Sequence, residues 1–208
     1  MCRENNPINL IMSEFFIYLQ LGYQHITDIN GYDHILFVVA LCAIYRITDW
    51  QKILYLVTAF TIGHSITLAL AALQLIDYST DLIEFLIPVT IILTCISNFF
   101  HRSTESVLDP EEFSRVRYFF AMMFGLIHGM GFSNYLKSLL GKNESIVVQL
   151  LAFNIGLEFG QLLIVAVAIT LSFLILDGFK VKKHSWNLIL SAFVAGVAFK
   201  LMTEKWYF

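Results

Sequence analysis

The chain has 208 residues, 58% hydrophobic and only 14% charged, with a net charge of −3 and a mean hydropathy of +0.72. Soluble domains carry roughly 25% charged residues, so the composition excludes an ordinary water-soluble domain and predicts an all-α, polytopic bundle of transmembrane helices. A net-negative chain without a basic stripe also argues against nucleic-acid binding, and three scattered cysteines (Cys2, Cys42, Cys95) with no CxxC pair form neither a disulfide framework nor a thiolate metal site.

In chain order, Ile8–His25 is apolar but interrupted by Ser13, Glu14, Gln20 and Gln24. It reads as an interfacial helix or a segment folded back into the bundle, not as a cleaved signal peptide. Six apolar runs follow, Asp33–Ile47, Ile53–Ile76, Leu82–Phe100, Val116–Leu140, Val147–Leu176 and Trp186–Thr203, against the about 20 residues that a bilayer crossing needs. The first is short. The reading is one integral membrane domain over 1–208, with an N-terminal amphipathic segment at 1–31 and the bundle at 32–203. Lys and Arg collect on the cytoplasmic side of membrane loops. The loops after runs one, three and five hold eight (Arg46, Lys52, Arg102, Arg115, Arg117, Lys180, Lys182, Lys183). The other side holds five (Arg3, Lys137, Lys142, Lys200, Lys205), so both termini are expected outside, in the periplasm of a bacterial inner membrane.

The informative residues are those a bilayer should exclude, since an Asp, Lys or Arg at a helix centre costs at least about 2.5–3.5 kcal/mol. Run two carries Thr58, Thr61, His64 and Ser65 at helical spacing. Run four carries His128 flanked on its own face by Gly125 and Gly129, which let a neighbour approach closely. Run five carries Asn154, Glu158 and Gln161 on one face, with Gly156 and Gly160 forming a small-residue ridge roughly opposite. At ~1.5 Å per residue, His64 and His128 lie about 18 Å and Glu158 about 16 Å from the outer ends of their runs. These three are therefore expected at one level. Asp33, His34 and Glu84 lie nearer the outer surface, and Asp33 and His34 are drawn inward because run one is short.

Imidazole and carboxylate suit Zn, Ni, Co or Fe, and an ion offsets the cost of burying the acids. The expected ligands are Asp33, His34, His64, His128 and Glu158. His25 and Glu84 are additional candidates, and Thr61, Ser65, Asn154 and Gln161 are candidate partners fixing the imidazole tautomers. Against this stand bland readings: interhelical hydrogen bonding for the histidines, and stabilisation near a helix N-terminus for Asp33 and Glu84. His101 and His184 read as solvated loop residues.

Four blocks carry a family resemblance. They are His25 with Gly31-Tyr32-Asp33-His34-Ile35-Leu36-Phe37, Phe60-Thr61-Ile62-Gly63-His64-Ser65-Ile66-Thr67-Leu68, Gly125-Leu126-Ile127-His128-Gly129-Met130-Gly131-Phe132, and Phe153-Asn154-Ile155-Gly156-Leu157-Glu158-Phe159-Gly160-Gln161. Together they resemble the HupE/UreJ membrane proteins associated with hydrogenase and urease maturation. His25 is followed by Ile26, where better-known members have a His-Pro pair, which resembles the second, less characterised branch. The resemblance implies a permease-like helix bundle with nickel or cobalt uptake as its function, and Asp33, His34, His64, His128 and Glu158 as the metal-handling positions. An intramembrane zinc hydrolase acting on a lipid or membrane-embedded peptide is the competing reading. The sequence leaves open the ion (nickel, cobalt or zinc), the coupling and any homo-oligomer.

Overall fold

The computed structural model describes residues 7–101, 110–139 and 146–206, and these form helices with no strand among them. Cys2, Arg3, Arg102 and Lys142 lie outside the described residues. In chain order the helices are α1 (Pro7–Thr27), α2 (Asp33–Cys42), α3 (Trp50–Ala72, entered by a 3₁₀ turn at Ile47–Asp49), α4 (Thr80–Phe99), α5 (Pro110–Leu139), α6 (Ile146–Phe173, ending in a π turn at Leu174–Gly178) and α7 (Lys183–Glu204).

Among the described residues, four helical stretches are long and apolar enough to cross a membrane: Ile47–Ala72, Thr80–Phe99, Ile146–Gly178 and Lys183–Glu204. They hold the second, third, fifth and sixth predicted runs. The expected count of about six is not reached by this measure. The fourth run lies in α5, a 30-residue helix outside that set. The first run forms only the ten-residue α2, about 15 Å long and half a bilayer.

Large apolar side chains point outward all round the bundle, among them Ile62, Ile66, Leu93, Phe119, Phe120, Leu163, Val167, Leu171, Ile189, Phe193 and Phe199. Water would not tolerate that much apolar surface on a monomer. Lipid does. The chain is an integral membrane protein.

Without a hydrophobic force between helices in lipid, close association depends on small residues that let backbones touch. Two helix pairs are built this way. On α5, a Cβ at Gly125 would collide with the Phe60 carbonyl of α3, and one at Gly129 with Thr67 Oγ1 and the His64 carbonyl. Because Phe60 meets Gly125 and His64 meets Gly129, α3 and α5 run parallel in register. In the second pair, Gly22 of α1 abuts the Phe153 carbonyl of α6, while Gly156 and Gly160 abut Leu19 and Ile26. The ridge read at Gly156 and Gly160 is therefore the seat of α1. Over this stretch α1 packs lengthwise on α6. Thr27 of α1 and Ile35 and Val39 of α2 line one apolar cavity with Leu163, Val167 and Leu171 of α6.

α2 is buried on most sides, with His34, Leu36, Phe37, Val38, Ala40, Leu41 and Cys42 all inside. Phe37 packs with Phe60, Leu56, Ile91 and Val165 in the main apolar core.

His101, read as a solvated loop residue, and Arg117, counted among the loop cations, are inside instead. His101 is 9% exposed and Arg117 is 7% exposed. Arg117 donates from Nη2 to Asn98 Oδ1 at 3.1 Å and lies 5.7 Å from the Tyr45 ring centre. Asn98 in turn donates to the Ala40 carbonyl and Ser191, and Asn187 donates to the Asn98 carbonyl. A polar knot of this kind satisfies a charge that lipid would reject.

Candidate metal-ion site

Between α1 and α2 the chain breaks its helix at Asp28–Tyr32, where the Asn30 N–H is held by Asp28 Oδ1 at 2.9 Å. Irregular backbone inside a membrane protein is tolerated where it lines a cavity. Here it borders a cavity of about 290 Å³, whose walls include His25, Asp33, His34, Glu84, Pro88, His128 and Phe132. Pro88 lacks an N–H, which frees the Glu84 carbonyl from its helical bond beside this wall.

Four imidazoles cluster beside this cavity: His25, His34 and His128 line it, and His64 is fully buried against His25 and His34. Ring centres are 4.6 Å apart for His25 and His34, 5.2 Å for His34 and His128, and 5.9 Å for His64 with either His25 or His34. They come from α1, α2, α3 and α5. The glycines explain the approach: Gly125 and Gly129 bring α5 against α3, and Gly22, Gly156 and Gly160 bring α1 with His25 against α6.

Their hydrogen bonding is one-sided. His34 Nδ1 lies 3.1 Å from Asp33 Oδ1, which also accepts the His34 N–H at 2.9 Å. His128 Nδ1 lies 2.9 Å from the Phe124 carbonyl. A carbonyl only accepts, so Nδ1 of His128 carries the proton, and the Asp33 carboxylate orients His34 the same way. In both of these rings Nε2 is then the acceptor nitrogen. The Nε2 atoms of His25, His34, His64 and His128 are all buried without a hydrogen-bond partner, as is Nδ1 of His64. Phenyl rings complete the enclosure. Phe132 covers His25 at 3.9 Å between centres, Phe60 and Phe37 flank His128 at 5.1 and 5.2 Å, and Phe153 stacks on His64 at 6.4 Å.

Two imidazoles sharing an ion at metal–nitrogen distances of ~2.0–2.1 Å place their ring centres on the order of 5 Å apart. The observed spacings bracket that value. As the side chains stand, no three His, Cys, Asp or Glu residues among those described are aimed to hold an ion. The rings pack edge and face on one another, so gripping an ion requires the imidazoles to rotate in place. The donor set and its unpartnered Nε2 atoms nevertheless suit an imidazole-preferring divalent cation.

The remaining candidates separate from this cluster. Glu84 lines the cavity mouth, with its Oε2 2.5 Å from Lys205 Nζ and both side chains substantially exposed. Glu158 was expected level with His64 and His128, but its carboxylate accepts from Thr58 and Thr61, both at 2.7 Å. The partners explain the difference. α1 takes the glycine ridge of α6, so α6 presents Phe153 rather than its acid to His64. Glu158 is left to the next polar turn of α3. Thr61 and Gln161 bond to one another, and Ser65 donates to the Thr61 carbonyl, so these groups engage Glu158 or the backbone rather than the imidazoles. Asn154 Oδ1 is buried without a partner. Sequence reasoning did not single out Phe132, Phe153 or the Phe124 carbonyl; the i−4 offset of Phe124 from His128 was the available signal. Cys42 and Cys95 are buried and free, away from the cavity walls.

No curated protein and no solved structure matches the chain. A family model described as HupE / UreJ protein matches residues 4–208, covering both the cavity-lining break and every helix that contributes an imidazole. This chain belongs to the HupE/UreJ protein family.

Proposed function

We propose that the protein carries a divalent transition-metal ion, nickel, cobalt or zinc, across a bacterial inner membrane, with both termini in the periplasm. Family membership supports a transporter-like role in nickel or cobalt handling. The observation that carries the reading is the set of buried, unpartnered Nε2 atoms on His25, His34 and His128, which line one cavity, and on His64, packed against His25 and His34. Each unsatisfied buried nitrogen costs roughly 1–3 kcal/mol, a cost that an arriving ion removes.

In this reading Glu84 and Asp33 attract the hydrated cation at the cavity, and the imidazoles replace its waters. Asp33 and the Phe124 carbonyl keep Nδ1 of His34 and His128 protonated, leaving Nε2 to bind. The core around Phe37 and Phe60 closes the path below. Release inward requires a second conformation, because a site that binds too tightly traps its ion. The chain contains no GxxxxGK[ST] sequence, so the membrane potential or an ion gradient supplies the drive.

The test is metal accumulation in cells or vesicles carrying wild type, His64→Ala or His128→Ala. Loss of accumulation in both variants supports transport; equal accumulation in all three rejects it. Zinc held stoichiometrically through purification, together with hydrolysis of a lipid or peptide, would favour the zinc-hydrolase reading instead.

A further inference from the structure

Glu158 belongs to a second polar site. Among the described residues its hydrogen bonds come from two threonine hydroxyls, Thr58 to Oε1 and Thr61 to Oε2, each at 2.7 Å. Among the described residues no Lys, Arg or His nitrogen lies within ion-pair distance of it. A carboxylate inside a bilayer needs a positive counterpart or a specific use.

The proton count is short as well. A threonine hydroxyl carries one proton. That of Thr61 faces three oxygens, Glu158 Oε2 at 2.7 Å, Gln161 Oε1 at 2.8 Å and the Val57 carbonyl at 3.1 Å. Two of those three approaches have no proton from Thr61 between them. Gln161 is fully buried and turns its carbonyl toward this group while its Nε2 has no partner. Oxygens crowded in this way have room for a proton or a cation among them.

The donors are all oxygen: two from Glu158, one each from Thr58, Thr61 and Gln161. Hard cations select such sets, whereas imidazole suits the transition metals. The group also lies one to two turns along α3 from His64, toward Trp50, and so is separate from the imidazole cluster. We propose that Glu158, Thr58, Thr61 and Gln161 form a sodium-binding site, distinct from the transition-metal site. Its use as the coupling ion for metal movement rests on the transport reading above; the binding does not. Membrane transporters place coupling ions at such helix-lined oxygen sites near the midplane.

The experiment is equilibrium binding of ²²Na⁺ to the purified full-length protein in lipid nanodiscs, with no transition metal present. Wild type should bind saturably, with displacement by unlabelled Na⁺ and not by choline. Glu158→Gln and Thr58→Ala should weaken binding at least tenfold, Thr58→Ser should restore it, and His64→Ala should leave it unchanged. Thr58 is only partly buried, so its variants report even where Glu158→Gln fails to fold. Absence of saturable wild-type binding overturns the proposal. So does binding that survives Glu158→Gln, or that is lost in His64→Ala. Metal uptake that responds to pH and ignores Na⁺ would overturn its use as the coupling ion. Failure of metal uptake with ²²Na⁺ binding intact would reject the transport reading while leaving this site standing.

Discussion

The rings of His34 and His128 stand 5.2 Å apart, each with Nδ1 held by an oxygen and Nε2 buried without a partner. Two helices distant in sequence thus present the same face of the same side chain to one space. A histidine that merely joined helices would use both nitrogens. These keep one in reserve, and His64 keeps both.

That reserve has a thermodynamic consequence. His64→Leu replaces two unsatisfied buried nitrogens by an apolar group of similar size, so the metal-free protein should melt at the same temperature or higher. Ligand present at a hundred times its dissociation constant stabilises a protein by about 2.7 kcal/mol. Thermal unfolding with and without Ni²⁺, Co²⁺ or Zn²⁺ should reveal such a shift for wild type and none for His64→Leu. A large loss of stability in the metal-free variant would instead mark His64 as a packing residue.

In the proposed site Asp33 would act on the ion through His34. Asp33→Asn keeps the shape but weakens the hold on Nδ1, and changes to such outer partners cost about 10–100-fold in metal affinity. Calorimetric titration should report that loss with unfolding little altered. Unchanged affinity would remove Asp33 from the site.

Close helix contact is a condition of the cluster. Gly129→Ala puts a methyl into Thr67 Oγ1 and the His64 carbonyl, an overpacking expected to cost about 1–3 kcal/mol. Gly196 has open space around its position, so Gly196→Ala should be neutral or stabilising by up to about 1 kcal/mol. Paired melting curves in one detergent test the contrast, and metal binding should fall only in the Gly129 variant.

At the mouth, Lys205 and Glu84 form an exposed pair. Such pairs contribute about 0–1 kcal/mol to stability, so neither Lys205→Ala nor Glu84→Gln should much change unfolding. In the transport reading they act on cation entry: Lys205→Ala should raise and Glu84→Gln lower the initial uptake rate by a few-fold, with both effects fading as salt screens the charges. Initial rates at low and high ionic strength check this.

The sequence alone determined that the chain lives in lipid, that it is helical, and that His34, His64 and His128 sit in small-residue surroundings. Those properties follow from composition, from a 3.6-residue period and from the rarity of polar groups in apolar runs, all of them local. What only the tertiary structure decided is which helix fills which ridge. α1 occupies Gly156 and Gly160 of α6, which brings His25 beside His34 and leaves Glu158 to Thr58 and Thr61. Depth along each helix carries no information about azimuth or partner. Arg117 was misread as loop charge for the same reason: its burial depends on Asn98 and Tyr45, residues remote in sequence that only the packed bundle brings to it.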